Sequence, residues 1–363
     1  MIWHQRVDLE IGAPTMSADS RAVPGCVRCS CIANKKLAIA SHASNDPGVS
    51  RQPQKPTRHP VVPSGIDPLA GISFPAGDTG AIRRAMADDA HGAWLYQGNC
   101  LAFLDAIAER HPGGLFDMIF ADPPYFLSNG GITCHAGKMV KVDKGEWDKS
   151  RGAELNHEFN TEWLRRCQRV LKPNGTLWVS GTQHVIFSVG YAMQQLGFKL
   201  LNDIAWEKPN PPPNLSCRYF THSTETILWA AKNEKSKHCF NYQEMKLENG
   251  GKQMKSVWRL TSPKTEEKRF GKHPTQKPVA LVARCILAST REGDLVLDPF
   301  LGGGTTAVAA LENKRRVIGI ELEEKNLQLS VRRADNATSL FTHSKTPEEP
   351  CQDERSRSPM VTV

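Results

Sequence analysis

Residues 295–306 read LVLDPFLGGGTT, and the order of features in that stretch decides the fold. Residues 295–297 form a short apolar run of buried-strand type. Asp298-Pro299 stops it, Gly302-Gly303-Gly304 makes a loop, and residues 305–311 open a helix. Residues 317–321 then read as a second strand. A strand that feeds a helix through a glycine loop and returns as another strand is the repeating unit of a doubly wound, mainly parallel sheet. Three adjacent glycines let a ligand approach the backbone, and the start of the helix offers unpaired N–H groups to a carboxylate or phosphate. Glu321 ends the following strand, where an acidic side chain can accept hydrogen bonds from ribose hydroxyls. Gly302, Gly304 and Ala307 also satisfy the GxGxxG/A spacing of nicotinamide and flavin folds. That match is weak, because it uses neither Asp298-Pro299-Phe300 nor anything upstream.

The same alternation extends toward the N-terminus. Pro278 opens a helix whose apolar face is Leu281, Val282, Cys285, Ile286 and Ala288. Residues 93–96 and 116–121 read as strands separated by a helix that Asn99 can cap. Phe159, Trp163, Leu164, Cys167, Val170 and Leu171 line a helix that Pro173-Asn174-Gly175 stops, and residues 176–179 follow as a strand. Residues 185–196 are a helix. Two β runs, 199–206 and 225–231, flank the turn-forming Pro209-Asn210-Pro211-Pro212-Pro213-Asn214. Residues 232–272 show no period and are expected to be irregular.

The strand at 116–121 ends in Asp122-Pro123-Pro124-Tyr125. Ligands of open α/β sheets bind off the carboxyl ends of the strands, so this places a carboxylate, a stiff backbone and an aromatic face at the functional edge. Two consecutive prolines exclude helix and remove two N–H donors, leaving carbonyls directed outward. An exocyclic amino group on a planar base suits that arrangement: it donates one proton to Asp122 and one to the Pro123 carbonyl while Tyr125 stacks on the ring. Drawing out both protons localises the nitrogen lone pair and makes a poor nucleophile usable.

Taken in order, FADPPYFLSNGG (120–131), VDKGEWDK (142–149), LKPNGTLWVSG (171–181), NDIAWEKPNPPPNLSCRYFTHSTETILWA (202–230), GKHPTQKP (271–278) and DPFLGGGTT (298–306) resemble the amino-methyltransferases of DNA. More narrowly, they look like adenine-N6 methyltransferases in which DPPY precedes the cofactor motif, and within that group like the second adenine methylases of DpnII-type restriction–modification systems, whose site is GATC. The likeness covers about residues 94–333. It implies a Rossmann-like methyltransferase fold using S-adenosyl-L-methionine. In it Asp122, Pro123, Pro124 and Tyr125 hold and activate the adenine. Asp298, Phe300, Gly302, Gly304 and Thr305 cradle the cofactor, and Glu321 takes its ribose. Thr275 and Lys277 meet the cofactor's carboxylate, and Asn99 stands where the family often has an Asp facing the cofactor's adenine. Gly303 replaces the usual serine. DNA is the implied partner, double- or single-stranded, and such systems allow a cognate endonuclease and a homodimer. No metal is implied.

The chain has 363 residues, with 46 Lys+Arg against 38 Asp+Glu and a net charge of +8. Residues 207–280 carry fourteen Lys+Arg and seven Asp+Glu, so +7 of the excess lies there. With Trp206 just before it, that segment also holds Tyr219, Phe220, Trp229, Phe240, Tyr242, Trp258 and Phe270, a mixture suited to a polyanion with stackable bases. Residues 209–272 are therefore the expected DNA-contacting insertion of a catalytic domain at 91–337. Lysines such as Lys252 and Lys255 would meet phosphates, and Asn214, Arg218 and Gln253 base edges. Residues 1–90 hold nine of the 24 prolines and no sustained period, and are expected to be disordered, as is the tail 338–363. The biological start is expected at Met16 or Met86 rather than Met1.

No apolar run reaches membrane-spanning length, and the N-terminus lacks a secretory layout, so a cytoplasmic, DNA-associated protein is expected. Cys26, Cys29 and Cys31 lack a second ligand pair and read as ordinary thiols, and His222 and His238 as structural or surface groups. Cys134 and Cys217 lack the Pro-Cys context of a methylating thiol. Cytosine-N4 methylation, a binding module with a vestigial site and a dinucleotide-dependent oxidoreductase remain as alternatives.

Overall fold

The computed structural model describes residues 66–74, 81–128, 132–135, 138–141 and 148–343. The cysteine cluster at 26–31, the start-site expectation at Met16, most of the N-terminal extension and the tail beyond 343 lie outside them.

Strands β1 (Arg83–Asp88), β2 (Ala93–Gln97), β3 (Phe116–Ala121), β6 (Leu171–Gly181), β7 (Lys199–Glu207), β8 (Thr224–Ala231), β9 (Val257–Arg259), β10 (Leu295–Asp298) and β11 (Arg316–Glu321) form one nine-stranded sheet, in the order β1-β2-β11-β10-β3-β6-β8-β7-β9. Within it β1 and β8 run against the others. A separate hairpin, β4 (Ile132–His135) and β5 (Lys138–Lys141), follows β3.

The sheet is covered on both faces. Helices α1 (Cys100–Arg110), α2 (Ala153–Val170) and α3 (Ile186–Gln195) pack on one side. On the other lie α4 (Tyr242–Glu248), α5 (Val279–Ser289), α6 (Thr305–Glu312) and α7 (Glu324–His343). Alternate strand residues therefore enter different cores. Trp94, Ile119, Leu295 and Leu297 join Phe103, Leu104 and Trp163 in one, whereas Leu95, Met118, Phe120 and Val296 join Leu281, Ile286 and Ala309 in the other. Burial on both faces explains why these strands read as unbroken apolar runs.

Chain connections diverge between β3 and β10: β3 leads through α2 to β6 on one side, and β10 through α6 to β11 on the other. The crevice at such a divergence is where ligands of open α/β sheets bind. Asp122, Asp298 and Glu321 sit at the carboxyl ends of the neighbouring strands β3, β10 and β11. At ~4.8 Å per strand this spreads three acidic groups over about 10 Å of one edge.

Three expectations need correction. Part of the stretch 1–90 is packed: Asp67 is buried, accepts from Tyr96 Oη at 2.7 Å and pairs with Arg84 at 2.7 Å, Leu69 is in the core, and Phe74 stacks on Phe103 at 5.1 Å. Single anchors separated by prolines leave no periodic signal. Likewise α7 runs to His343, past the expected end at 337. Residues 209–272 are also not a plain insertion, because β9 extends the sheet beside β7, while α4 packs on α5 and places Met245 in the second core. Trp206, Trp229 and Trp258 belong to that core as well. Their rings are 2%, 4% and 5% exposed, Trp229 stacks on Trp178 at 4.7 Å, and the indole N–H groups of Trp206 and Trp258 donate to the carbonyls of Leu260 and Lys255. These rings are unavailable to nucleic-acid bases. Among the described residues no helix is long and apolar enough to cross a membrane, and none of their His, Cys, Asp and Glu side chains cluster as metal ligands.

Candidate active site

A cavity of about 620 Å³ opens at the divergence, lined from one end to the other by Glu321, the glycine loop, Asn99, Asp298, Phe300, Thr275, Lys277 and the Asp122–Tyr125 turn. The two motifs, 170 or more positions apart in the chain, thus share one chamber.

The glycine loop is held from three sides. Asp298 accepts from Phe300 N at 2.9 Å and from Thr306 Oγ1 at 2.5 Å. Glu321 accepts from Gly302 N at 2.7 Å and Glu323 N at 2.9 Å. Ser330 Oγ donates to the Gly302 carbonyl at 2.7 Å, and the buried Arg333 guanidinium donates to the Gly303 carbonyl and, at 3.1 Å, to Thr305 Oγ1. Thr305 Oγ1 in turn donates to the Lys277 carbonyl at 3.1 Å. Burial pushes the Asp298 carboxyl up to about 7 against those hydrogen bonds, and burial also raises Glu321. Asn99 spends its side-chain oxygen on the N–H of Leu101 as the cap of α1 while still lining the chamber. Arg333 was not foreseeable as a loop support, since in sequence it is one basic residue on an amphipathic helix.

At the other end both oxygens of Asp122 are engaged. Oδ1 accepts from Tyr125 Oη at 2.7 Å and Oδ2 from Lys277 Nζ at 2.6 Å. Lys277 is 6% exposed, lies 3.6 Å from Glu225 Oε2, and stands over the Tyr125 ring at 5.2 Å. Glu225 also pairs with Lys208 at 2.5 Å. Burial raises the Asp122 carboxyl, and Lys277 offsets part of that rise. For Glu225 the two lysines outweigh burial and hold it low, while its partners Asp122 and Glu225 hold Lys277 above an ordinary lysine despite burial. The ammonium of Lys277 thus sits on Asp122, in the chamber that Thr275 also lines.

The turn after Asp122 is fixed by a residue that sequence reading passed over. Asp148 is fully buried. It accepts from the N–H of Tyr125 at 2.9 Å, Phe126 at 2.8 Å and Leu127 at 3.2 Å, and from Ser128 Oγ at 2.9 Å. Phe126 has φ +58°, so the chain turns sharply there. The one available signal was that Asp148 belongs to the VDKGEWDK motif.

The residues expected on DNA divide into two groups. Because β7 is parallel to β6 and β8 antiparallel, the loop 208–223 leaves and re-enters the sheet at the Asp122 edge, carrying Asn214 and Arg218. Asn214 braces that loop, donating to the Tyr219 carbonyl at 2.6 Å, and Arg218 is exposed. Lys252, Gln253 and Lys255 are exposed but precede β9, which runs toward the edge, so they lie along the outer margin of the sheet. They are not brought to the chamber.

Residues 116–332 match the family described as DNA methylase. Type II methyltransferase M2.DpnII of Streptococcus pneumoniae is 60% identical over 226 residues, which is 61% of this chain and 84% of that protein. Type II methyltransferase M2.MboI of Moraxella bovis is 52% identical over 247 residues, covering 68% and 89%. Among solved structures, the M1.HpyAVI–SAM complex superposes with a TM-score of 0.51 at 28% identity, over 66% of this chain and 98% of that one. The PvuII cytosine-N4-specific DNA methyltransferase, 18% identical with a TM-score of 0.52 over 69% and 92%, shares the fold. With DPPY and the glycine loop facing one chamber, and most of the described chain matched, this protein belongs to the DNA methylase family and is a DNA methyltransferase.

Proposed function

We propose that the protein methylates N6 of adenine in DNA, with S-adenosyl-L-methionine as donor and GATC as the site, within a restriction–modification system. The observation that carries this reading is the carboxylate at the first position of Asp122-Pro123-Pro124-Tyr125, half-buried in the lining of a chamber that it shares with the glycine loop.

The residues present fit the cofactor. Gly302 adopts φ +51° and a Cβ there would come 3.1 Å from the His273 ring, so the backbone lies where a side chain would intrude. Glu321, Asp298 and Asp122 supply acidic groups along a chamber that would hold a cationic ligand. When bound, the cofactor supplies an electrophilic methyl group on a sulfonium centre. Asp122 and the Pro123 carbonyl orient the amine of the base, and Asp122 stabilises the positive charge that develops on nitrogen. Tyr125 stacks on the ring. Asp148 fixes the backbone that carries both. After transfer the surplus proton leaves the amine by way of Asp122.

Since adenine N6 is paired inside a duplex, the base must be extruded or presented single-stranded. A cognate endonuclease in the same system and a homodimer belong to this reading. The deciding experiment incubates the full chain with labelled cofactor and oligonucleotides with or without GATC, then digests the DNA to nucleosides. N6-methyldeoxyadenosine confined to GATC substrates supports the reading; N4-methyldeoxycytidine overturns it.

A further inference from the structure

The hairpin that joins β7 to β8 leaves the catalytic edge at Glu207 and returns at Thr224, its feet closed by Lys208 N donating to the Ser223 carbonyl at 2.8 Å. The next residue, Glu225, has Oε2 3.4 Å from Tyr125 Oη. The loop is therefore rooted in the pocket proposed for the base. Its outer part presents apolar side chains around Arg218: Leu215 is 48%, Tyr219 60% and Phe220 96% exposed, Phe220 being the most exposed large apolar side chain among the described residues.

The exposure is built into a braced loop. Asn214 donates to the Tyr219 carbonyl at 2.6 Å and accepts from Ser216 N at 3.0 Å and Ser216 Oγ at 2.8 Å. Pro209, Pro211, Pro212 and Pro213 restrict the outgoing limb. On the return limb the Tyr219 ring leans on His222 at 5.3 Å, and His222 lies 3.4 Å from Gln183 at the end of β6. Phe220 is five residues from Glu225, so their Cα atoms are at most about 18 Å apart. Arg218 beside it is exposed and positively charged, a phosphate-seeking neighbour.

We propose that Phe220 is the wedge of this enzyme, the side chain that enters the base stack of duplex DNA when the target adenine leaves it; this rests on the reading of the chain as an adenine methyltransferase. Extruding a base leaves a flat apolar gap, and a planar ring on a stiff loop matches it in shape and polarity. The ring stabilises the open duplex, while Asp122 and Tyr125 act on the extruded base.

The test compares the full chain with Phe220→Ala and Phe220→Trp on three DNAs: a matched GATC duplex, the same duplex with an abasic site opposite the target adenine, and the single strand. For Phe220→Ala we expect kcat/KM to fall about 10- to 100-fold on the matched duplex, and by only about two- to threefold on the other two, where little unstacking is needed. Phe220→Trp should restore most of the duplex activity. With 2-aminopurine at the target position, the wild-type chain should raise its fluorescence in the matched duplex and Phe220→Ala should not. An equal loss on all three DNAs, or no loss on the matched duplex, overturns the wedge. Absence of adenine methylation by the wild-type chain on every DNA overturns the underlying function, and the wedge with it.

Discussion

Lys277 Nζ lies 2.6 Å from Asp122 Oδ2, joining the loop before α5 to the end of β3 across 155 positions of sequence. The ammonium holds down a carboxyl that burial alone raises, and so favours the ionised form that the role proposed for Asp122 requires. Asp122 must be ionised for that role, so activity is present above its folded pKa and lost as pH falls through it. In Lys277→Met the carboxyl rises further, and the acidic limb of kcat against pH moves to higher pH. Removing one partner of a buried ion pair also costs about 3–5 kcal/mol of stability, visible as a lower Tm. Lys277→Arg should keep much of both. If Lys277 instead held the cofactor's carboxylate, Lys277→Met would raise the cofactor Kd and leave the acidic limb in place. For Asp122→Ala, transfer should vanish while cofactor binding stays measurable by calorimetry.

Asp148 predicts a different pattern. Asp148→Ala leaves three backbone N–H groups without their carboxylate, each orphaned donor costing about 1–3 kcal/mol if it stays dry. The turn carrying Tyr125 then relaxes, and a displacement of ~1 Å at a reacting group costs about 100-fold in rate. Single-turnover kinetics should show that loss in the methyl-transfer step. Cofactor Kd should change little, because the glycine loop is held by Asp298, Glu321, Ser330 and Arg333 instead. A fall in cofactor affinity as large as the fall in rate would refute the role.

These contacts mark where sequence reading stops. Asp122, Asp298 and Glu321 were legible because each terminates an apolar strand, and strand ends define the functional edge of a wound sheet. Helices α1, α2, α3 and α5 were legible from 3.6-residue periods and α6 from the glycine loop before it, whereas α4 and α7 were not. Lys277, Glu225, Asp148 and Arg333 act through contacts with residues distant in sequence, and nothing in local pattern reports such a partner. Trp206 and Trp229 were misread for a different reason. Composition counts rings without asking which face they occupy, although Ile204 with Trp206 and Ile227 with Trp229 repeat at a period of two and enter the same core. Strand β9 has only three residues, too few for a period to register.

The glycine loop yields a contrast between neighbours. Gly304 has φ +76°, and a Cβ there would sit 2.8 Å from Ser330 Cα, backbone that cannot yield cheaply. Gly304→Ala should destabilise by more than about 1 kcal/mol and weaken cofactor binding by about tenfold, the loss that follows when ~1.4 kcal/mol of loop distortion falls on the bound state. Gly303 has no left-handed φ, and its nearest obstacle is the side-chain Cβ of His273 at 3.0 Å. Gly303→Ser, which restores the residue usual in the family's loop, should cost less on both counts. Thermal melts and cofactor titrations of the two variants check the order; a Gly303→Ser defect as severe as that of Gly304→Ala would contradict it.

Asp298 gives the clearest pH signature. Its carboxyl is 3% exposed and titrates at about 7, chiefly because burial disfavours the charge. A carboxyl raised in the folded state contributes stability that is fully present below its unfolded pKa of about 4 and is lost as pH rises through about 7. Asp298→Asn resembles the protonated form and cannot ionise, so its Tm relative to wild type should be higher at pH 8 than at pH 4. Ligand binding adds a second consequence. A cationic cofactor entering the chamber pulls the Asp298 pKa down, so binding near neutral pH releases protons. Affinity should therefore climb with pH up to about 7 and then level off. Calorimetry in two buffers of different ionisation enthalpy should count the released protons at pH 6.5, find fewer with adenosine, which lacks the cationic groups, and find fewer with Asp298→Asn. Equal proton release from wild type and Asp298→Asn would assign the titration to another group.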